Sequence, residues 1–362
     1  MINVGIIGAG RIGQVHAKSI LSGVPQAHIL AIADPYMKPA VAEWAKASGI
    51  ENVYTDYKKI LEDERIDAVL ICASTNLHAQ LSLEAIAAGK HIFCEKPIDQ
   101  SIAKIEEVKA ALAASPKKLI YQVGFNRRYD HNYQAMRDAV AAGKIGQVQY
   151  VRVSSRDPEP PPAEYAAVSG GIFMDMMIHD LDMVRYLSGQ EVVELYAQGA
   201  CLIDPAIGEA GDVDTATITL KLANGALATI DGSRKAVYGY DQRGEVFGSK
   251  GCVVNANDTN SNIVLSTVDG VMAEKPLWFF LERYMVHKST PLATPKTNPP
   301  NLLKKPKFMA FTRLVTALPI ILTRITKIMN VNTKAMVFKY LGLISTKSCK
   351  CSAVKSEKCM AP

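Results

Sequence analysis

The 362 residues, 48% hydrophobic and 21% charged, have the composition of a folded globular enzyme of two or three domains and exclude a disordered or fibrous chain. The formal charge of +6 is unevenly divided: residues 288–362 hold fourteen Lys/Arg against one acid, Glu357, a net +13, while residues 1–287 carry −7, so the basic balance does not describe the body and no nucleic-acid partner is expected. There is no apolar run of about eighteen residues and no leader pattern at the N-terminus, and the seven cysteines lack framework spacing; a cytoplasmic protein with reduced thiols is expected.

Residues 3–10 read as a buried strand broken on glycine, and a helical period takes over at Arg11. In that setting Gly8 permits the tight turn, Gly10 admits a pyrophosphate to the backbone, and Gly13 allows close helix packing. Arg11 and Ile12 then open the helix on which the phosphates sit. Residues 30–34 end a second strand on Asp34, placed to bind a ribose diol; its charge repels a 2′-phosphate, so the expected cofactor is NAD. Residues 67–73 form a short apolar strand, 76–89 a helix with a glycine stop, and His91–Cys94 another strand, an alternation that implies a doubly wound parallel sheet. Ser74, Thr75 and His78 either face the cofactor or cap the helix. Glu95-Lys96-Pro97 falls at the carboxyl end of a strand, where such sheets bind ligands; Lys96 is either a donor to a reacting oxygen or a solvated strand-end lysine.

Residues 119–124 close the first domain, taken as 1–123, and Phe125-Asn126-Arg127-Arg128 begins a second, taken as 124–287. One of the two arginines is expected to hold a polar substrate, the alternative being a surface salt bridge. After a helix ending near Gly143, residues 149–154 and 215–222 alternate as strands, and Asn224-Gly225 ahead of 226–230 signals a hairpin. The second domain is therefore expected to be an open, mostly antiparallel sheet with helices on one face. The proline-rich stretch 156–162 is a lid or a spacer. After Gly170-Gly171 an otherwise apolar helix is expected to set Asp175 and His179 on one face. Buried charges need partners, and a carboxylate-braced histidine is the usual proton-transfer group near neutral pH. The histidines lack metal-ligand spacing, Cys349, Cys351 and Cys359 have no second CxxC or histidine nearby, and no metal is expected.

With the Gly8-Gly10-Gly13 turn, Asp34, Glu95-Lys96-Pro97 and the Asp175/His179 pair, the chain resembles the glucose-fructose oxidoreductase/inositol dehydrogenase/rhizopine catabolism family over residues 1 to about 285. Within it the similarity is to the inositol 2-dehydrogenases, through residues 155–158, 169–173, 178–185 and 238–248. The resemblance implies NAD-linked oxidation of a ring hydroxyl of myo- or scyllo-inositol, with an NAD(P)-linked aldose or other sugar dehydrogenase as the alternative. It assigns His179 as general base, Asp175 as the group orienting its ring, and Lys96 as the donor that polarises the same oxygen. Arg127 and Tyr238 or Tyr240 match polyol contacts, with Asn126 and Asp182 as further candidates, and Glu95 stands with the cofactor-facing residues. A homo-oligomer, a tetramer in this family, is implied as well.

Past about residue 285 the resemblance stops. The abrupt change to a basic segment suggests a shifted reading frame or a misassigned exon. The alternative is a genuine tail whose residues 308–344 lie on an anionic membrane surface at about 1 kcal/mol per basic residue. Without the family's last helix and strand the chain is expected to expose apolar surface and to be a dinucleotide-binding protein impaired in turnover. The mass of the native C-terminal peptide separates these readings. The shifted frame predicts that no peptide ending in Cys359-Met360-Ala361-Pro362 is found; its detection would contradict it.

Overall fold

The structure, a computed structural model, describes residues 1–277 apart from 260, 262 and 274; the basic segment and the readings attached to it lie outside the described residues. The first half alternates strand and helix: β1 (Ile2–Ile7), α1 (Arg11–Gly23), β2 (Ala27–Ala33), α2 (Pro39–Ala47), β3 (Asn52–Tyr54), α3 (Lys58–Glu62), β4 (Ala68–Ile71), α4 (His78–Ala87), β5 (His91–Cys94), α5 (Ile102–Ala114) and β6 (Tyr121–Val123). All six strands run parallel in the order β3-β2-β1-β4-β5-β6. Both faces of this sheet are covered. Val4, Ile6, Leu70 and Phe93 join Ala17 and Ile20 of α1 in one core, and Ile7, Ile71, Ile92 and Cys94 join Leu81 and Ala85 of α4 in the other. Burial on both sides is why these strands read as continuous apolar runs rather than alternating ones.

The strand order reverses between β1 and β4, and the crevice at their carboxyl ends is where a doubly wound sheet takes its ligand. Gly8 leaves β1 at that point with φ +101, and a Cβ there would lie 2.5 Å from the Cys72 carbonyl oxygen. Glycine alone meets both demands without strain.

The second half begins with α6 (His131–Ala141), started by Asp130, whose carboxylate accepts from the Asn132 and Tyr133 backbone N–H groups. There follow β7 (Val148–Arg156), α7 (Ala163–Ser169), a π-helical turn (Ile172–Met176), α8 (Ile178–Ser188), β8 (Val192–Ala200), α9 (Pro205–Glu209), β9 (Thr215–Leu222), β10 (Leu227–Ser233), β11 (Asp241–Gly248) and β12 (Gly251–Asn255). The sheet order is β12-β11-β7-β10-β9-β8, antiparallel throughout except where β10 lies parallel to β7. The Asn224-Gly225 turn joins β9 to β10 as expected, with Gly225 at φ +87. Tyr133 and Met136 of α6 and Leu181, Val184 and Leu187 of α8 pack on one face against Val151, Val153, Ile218, Leu220, Ile230 and Val246. The other face leaves Tyr196, Leu227, Phe247 and Val254 exposed. A separate hairpin, β13 (Val264–Thr267) and β14 (Gly270–Ala273), follows. Among the described residues no helix is long and apolar enough to cross a membrane.

Gly8→Ala is expected to cost ~2 kcal/mol or more, from the left-handed backbone penalty and the collision with Cys72. Denaturant unfolding measures it; an unchanged midpoint would mean that the turn relaxes freely.

Candidate active site

Lys96 leaves β5 at the carboxyl edge of the first sheet and reaches the π-helical turn of the second half. Its Nζ donates to the Asp175 main-chain oxygen at 2.5 Å and lies 3.3 Å from Asp175 Oδ1. Both side chains are mostly enclosed, 16% and 18% exposed. Asp175 is shared further: Tyr165 Oη donates to the same Oδ1 at 3.1 Å, and Arg234 Nη1 lies 3.5 Å from Oδ2. Arg234 is itself buried, and its Nη2 reaches Asp212 Oδ2 at 3.3 Å. The other oxygen of Asp212 accepts the Ile172 N–H at 3.0 Å, so the same carboxylate anchors the start of the π turn.

The expectation that Asp175 orients the His179 ring needs correcting. The chain from Ile172 is not one α-helix: the Met177 N–H bonds back five residues to the Ile172 carbonyl, and the wider turn removes the simple four-residue facing of an α-helix. Asp175 is spent on Lys96, Tyr165 and Arg234. The His179 Nδ1 is buried with no hydrogen-bond partner among the described residues, and the ring meets Phe125 edge-on at 6.2 Å between centroids. Burial first, and then the positive charges of Lys96 and Arg127, pull the His179 pKa well below the ordinary imidazole value. The ring is therefore neutral at pH 7, as a proton acceptor must be.

Arg127 and Arg128 are both engaged inside the protein. Arg127 is buried, donating to Asp180 and, at 2.9 Å, to Ser155 Oγ, which also accepts from Gln242 Nε2. Burial outweighs this pairing and pushes the Asp180 carboxyl up to about 6. Arg128 holds Asp182 through two hydrogen bonds and lies over the Tyr186 ring. The reading of a surface salt bridge is thus replaced by buried ones, and Asp182, also buried, is committed to Arg128. Asn126 presents a buried Oδ1 with no partner among the described residues. Tyr238 Oη donates to Asp241 at 2.6 Å and accepts from Arg156 at 3.0 Å; Tyr240 is buried beside it at the start of β11. Tyr238 belongs to the Arg156–Asp241 network.

On the cofactor side, nothing lies within 4 Å of a Cβ built at Gly10, whereas one at Gly13 would strike the Gly8 carbonyl. The backbone at Gly10 is thus open to a ligand while α1 packs closely behind it. No side chain caps α1 and no acid sits in its first turn, where the exposed Arg11 and the half-buried Ile12 stand; this is the environment a pyrophosphate requires. Asp34 accepts the Ala9 and Tyr36 N–H groups, one on each oxygen, at 2.8 Å, which fixes its carboxylate at the end of β2. These residues fit NAD. Ser74 makes no cap hydrogen bond and is exposed, and Thr75 follows it in a short 3-10 turn. His78 neither caps nor faces the crevice: its ring nitrogens lie 2.7 Å from the Pro97 carbonyl oxygen and 2.9 Å from that of Ala73, which braces the loop carrying Lys96. Glu95 is tied to His16 of α1 at 2.7 Å.

Sequence reading missed Tyr165, Arg234, Asp212 and Asp157. Burial raises the Asp157 pKa against the opposing charges of Arg127 and Arg234, with Asp175 and Lys96 also acting on it, which places it in the same charge field. Its signal in the sequence is its place in the 155–158 segment that carries the resemblance, which gives it no role of its own. Asp130, His131 and Asp258 bring ligand-type atoms within 4.8 Å of one another, but Asp130 caps α6 and Asp258 accepts from Asn132.

Residues 2–125 match the family described as "Oxidoreductase family, NAD-binding Rossmann fold", and residues 133–254 match the "GFO/IDH/MocA C-terminal domain". An uncharacterized oxidoreductase of Bacillus subtilis is 50% identical over 284 residues, covering 78% of this chain and 82% of that protein. The myo-inositol 2-dehydrogenase of Thermotoga maritima is 46% identical over 287 residues, covering 78% and 84%. Among solved structures, scyllo-inositol dehydrogenase from Lactobacillus casei with bound NAD(H) and scyllo-inositol superposes with a TM-score of 0.72 at 32% identity, covering 79% of this chain and 85% of that one.

Because His179 is held neutral when folded, the unfolded chain binds the extra proton more readily. The corresponding stability is intact above the ordinary value of about 6.5 and is lost as pH falls below it. His179→Asn removes this loss, so the stability deficit between pH 7 and pH 5 should shrink by up to ~2 kcal/mol. Denaturant unfolding at both pH values reads it, and equal deficits in the two proteins would contradict a neutral His179.

Proposed function

We propose that this chain, which belongs to the GFO/IDH/MocA family of NAD-binding oxidoreductases, oxidises a ring hydroxyl of inositol, myo or scyllo, to the corresponding inosose. The observation that carries this reading is the Lys96–Asp175 contact beside a neutral His179, at the open Gly10 end of the first sheet. The inositol dehydrogenases among its relatives support the substrate class.

His179 takes the hydroxyl proton, for which its depressed basicity keeps it free. Lys96 donates to the same oxygen and stabilises the negative charge that develops there. Asp175 fixes the Lys96 ammonium rather than the histidine ring. NAD, when bound, supplies the nicotinamide that accepts the hydride. A cyclitol offers hydroxyls and no charge, and the charges around its site are correspondingly paired with one another: Arg127 with Asp180, Arg128 with Asp182, Arg156 with Asp231 and Asp241. The Asn126 Oδ1, without a partner among the described residues, is left as an acceptor for the polyol.

The exposed face of the second sheet, with Tyr196, Leu227, Phe247 and Val254, supports a homo-oligomer, in keeping with the tetramers of the family. The four cysteines among the described residues are free thiols, in keeping with a cytoplasmic enzyme.

Lys96→Ala and His179→Gln are each expected to lower kcat with inositol about 10²–10⁴-fold while NAD affinity stays within about threefold. NADH formation and cofactor-binding fluorescence measure the two. Wild-type turnover in both variants would sink the assignment, and faster initial rates on glucose or galactose than on any inositol would move it to a sugar dehydrogenase.

A further inference from the structure

The proline-rich stretch 156–162 reads from sequence as either lid or spacer, and it leads directly into α7. Pro162 starts the helix, its carbonyl accepting from the Tyr165 and Ala166 N–H groups at 3.0 and 3.1 Å. Only Ala166 and Ser169 of α7 are buried, while Tyr165 and Val168 are 48% and 70% exposed. The helix adds little to the core of the second domain. It packs beside α9 and the π-helical turn and also reaches the first domain: Gln100 Nε2 donates to the Val168 carbonyl at 3.0 Å, and the left-handed Gly170 that ends the helix lies against the same Gln100 amide. From this position Tyr165 Oη donates to Asp175 Oδ1, and the Arg11 guanidinium at the cofactor turn is among the charges acting on the phenol. α7 therefore touches both halves, at Gln100 and at Asp175.

We propose that Tyr165 is a positioning residue of the reaction: from α7 it holds the Asp175 carboxylate, which in turn holds Lys96 against the reacting oxygen. This rests on the inositol dehydrogenase reading of the site. Asp175 Oδ1 has two donors, Tyr165 at 3.1 Å and Lys96 at 3.3 Å, while Oδ2 faces Arg234 at 3.5 Å. None of the three contacts is short, so no one of them fixes the carboxylate plane alone. The tyrosine is the only uncharged donor of the set, and a phenol giving its proton to a carboxylate makes a charge-assisted bond. Burial and the neighbouring Asp175 push its pKa up to about 12, so it remains a donor across the working pH range. Without the hydroxyl, the carboxylate turns between Lys96 and Arg234, and the Lys96 ammonium keeps its bond to the Asp175 main-chain oxygen at 2.5 Å but loses the second acceptor that sets its direction. A displacement of about 1 Å at such a group is enough to slow catalysis considerably.

The test is Tyr165→Phe in the full chain, with Val168→Ala, an exposed change on the same helix, as the control for loosening of α7. Tyr165→Phe is expected to lower kcat with myo-inositol about tenfold, with KM for inositol and NAD within about twofold and an unchanged melting temperature. Acetylation of Lys96 by an amine-reactive reagent, followed by peptide mass spectrometry, should rise several-fold in Tyr165→Phe, with Val168→Ala matching wild type in both readouts. Unchanged kcat, or unchanged Lys96 labelling, overturns the proposal. So does a raised KM for inositol at constant kcat, which would make Tyr165 a substrate contact instead. If the wild-type chain oxidises no inositol, the functional reading fails, and the Lys96 labelling still decides whether Tyr165 positions that side chain.

Discussion

Lys96 and Asp175 stand 79 residues apart in sequence, one just past β5 of the first sheet and the other on the π-helical turn of the second half, yet the other groups at the site are arranged about their contact. A mostly enclosed ion pair gains little net stability, because desolvation cancels most of the attraction. What it secures is geometry. The lysine comes from the end of β5, a strand buried on both faces, and the aspartate from a turn pinned by Asp212 at its first residue. Joining these two fixed points sets the width of the crevice and aims one ammonium group at the place where a ligand on the Gly10 turn must react.

The support for that contact is buried and charged, which is costly unless each charge is paired. Arg234 is among the largest fully buried side chains and lies between two carboxylates, Asp175 and Asp212. Arg127 lies behind His179, shared by Asp180 and Ser155. Guanidinium groups suit this position, since their planar fork serves two acceptors and stays charged. The pairing is nevertheless incomplete: Arg234 Nε, Asp180 Oδ2 and Gln242 Oε1 are buried without a partner among the described residues. Unsatisfied groups gathered around one crevice indicate an arrangement held for chemistry rather than for stability.

Much of this was legible in the sequence because it depends on local pattern. The Gly8 turn, the acid at the end of β2, and the βα alternation each follow from rules that act over a few residues. The Asn224-Gly225 hairpin is of the same kind. The parallel pairing of β7 with β10 had no such signal, since those strands are far apart in sequence and alternate like any half-buried strand. The buried partners of Arg127, Arg128 and His78 had no signal for a related reason. A charged or aromatic residue beside a crevice can point into it or behind it, and only the tertiary packing that supplies Asp180, Asp182 and the Pro97 carbonyl decides which. Tyr165, Arg234 and Asp212 were invisible because each acts on Asp175 or its turn from a separate segment.

The departure at His179 is the most informative of these. A carboxylate brace would raise its basicity, whereas this ring has Lys96 and Arg127 as its charged neighbours and a buried, unpartnered Nδ1. Both influences weaken it as a base, so the imidazolium formed when it accepts a proton gives that proton up readily. In a dehydrogenase whose reaction runs both ways, that is an advantage: the imidazole is neutral when the alcohol arrives, and the imidazolium is destabilised enough to return the proton when the ketone is reduced. The negative charge passing through the reacting oxygen is met by Lys96, which Asp175 holds in place. Two tasks often assigned to one carboxylate–histidine pair are thus divided here between a free histidine and a tethered lysine.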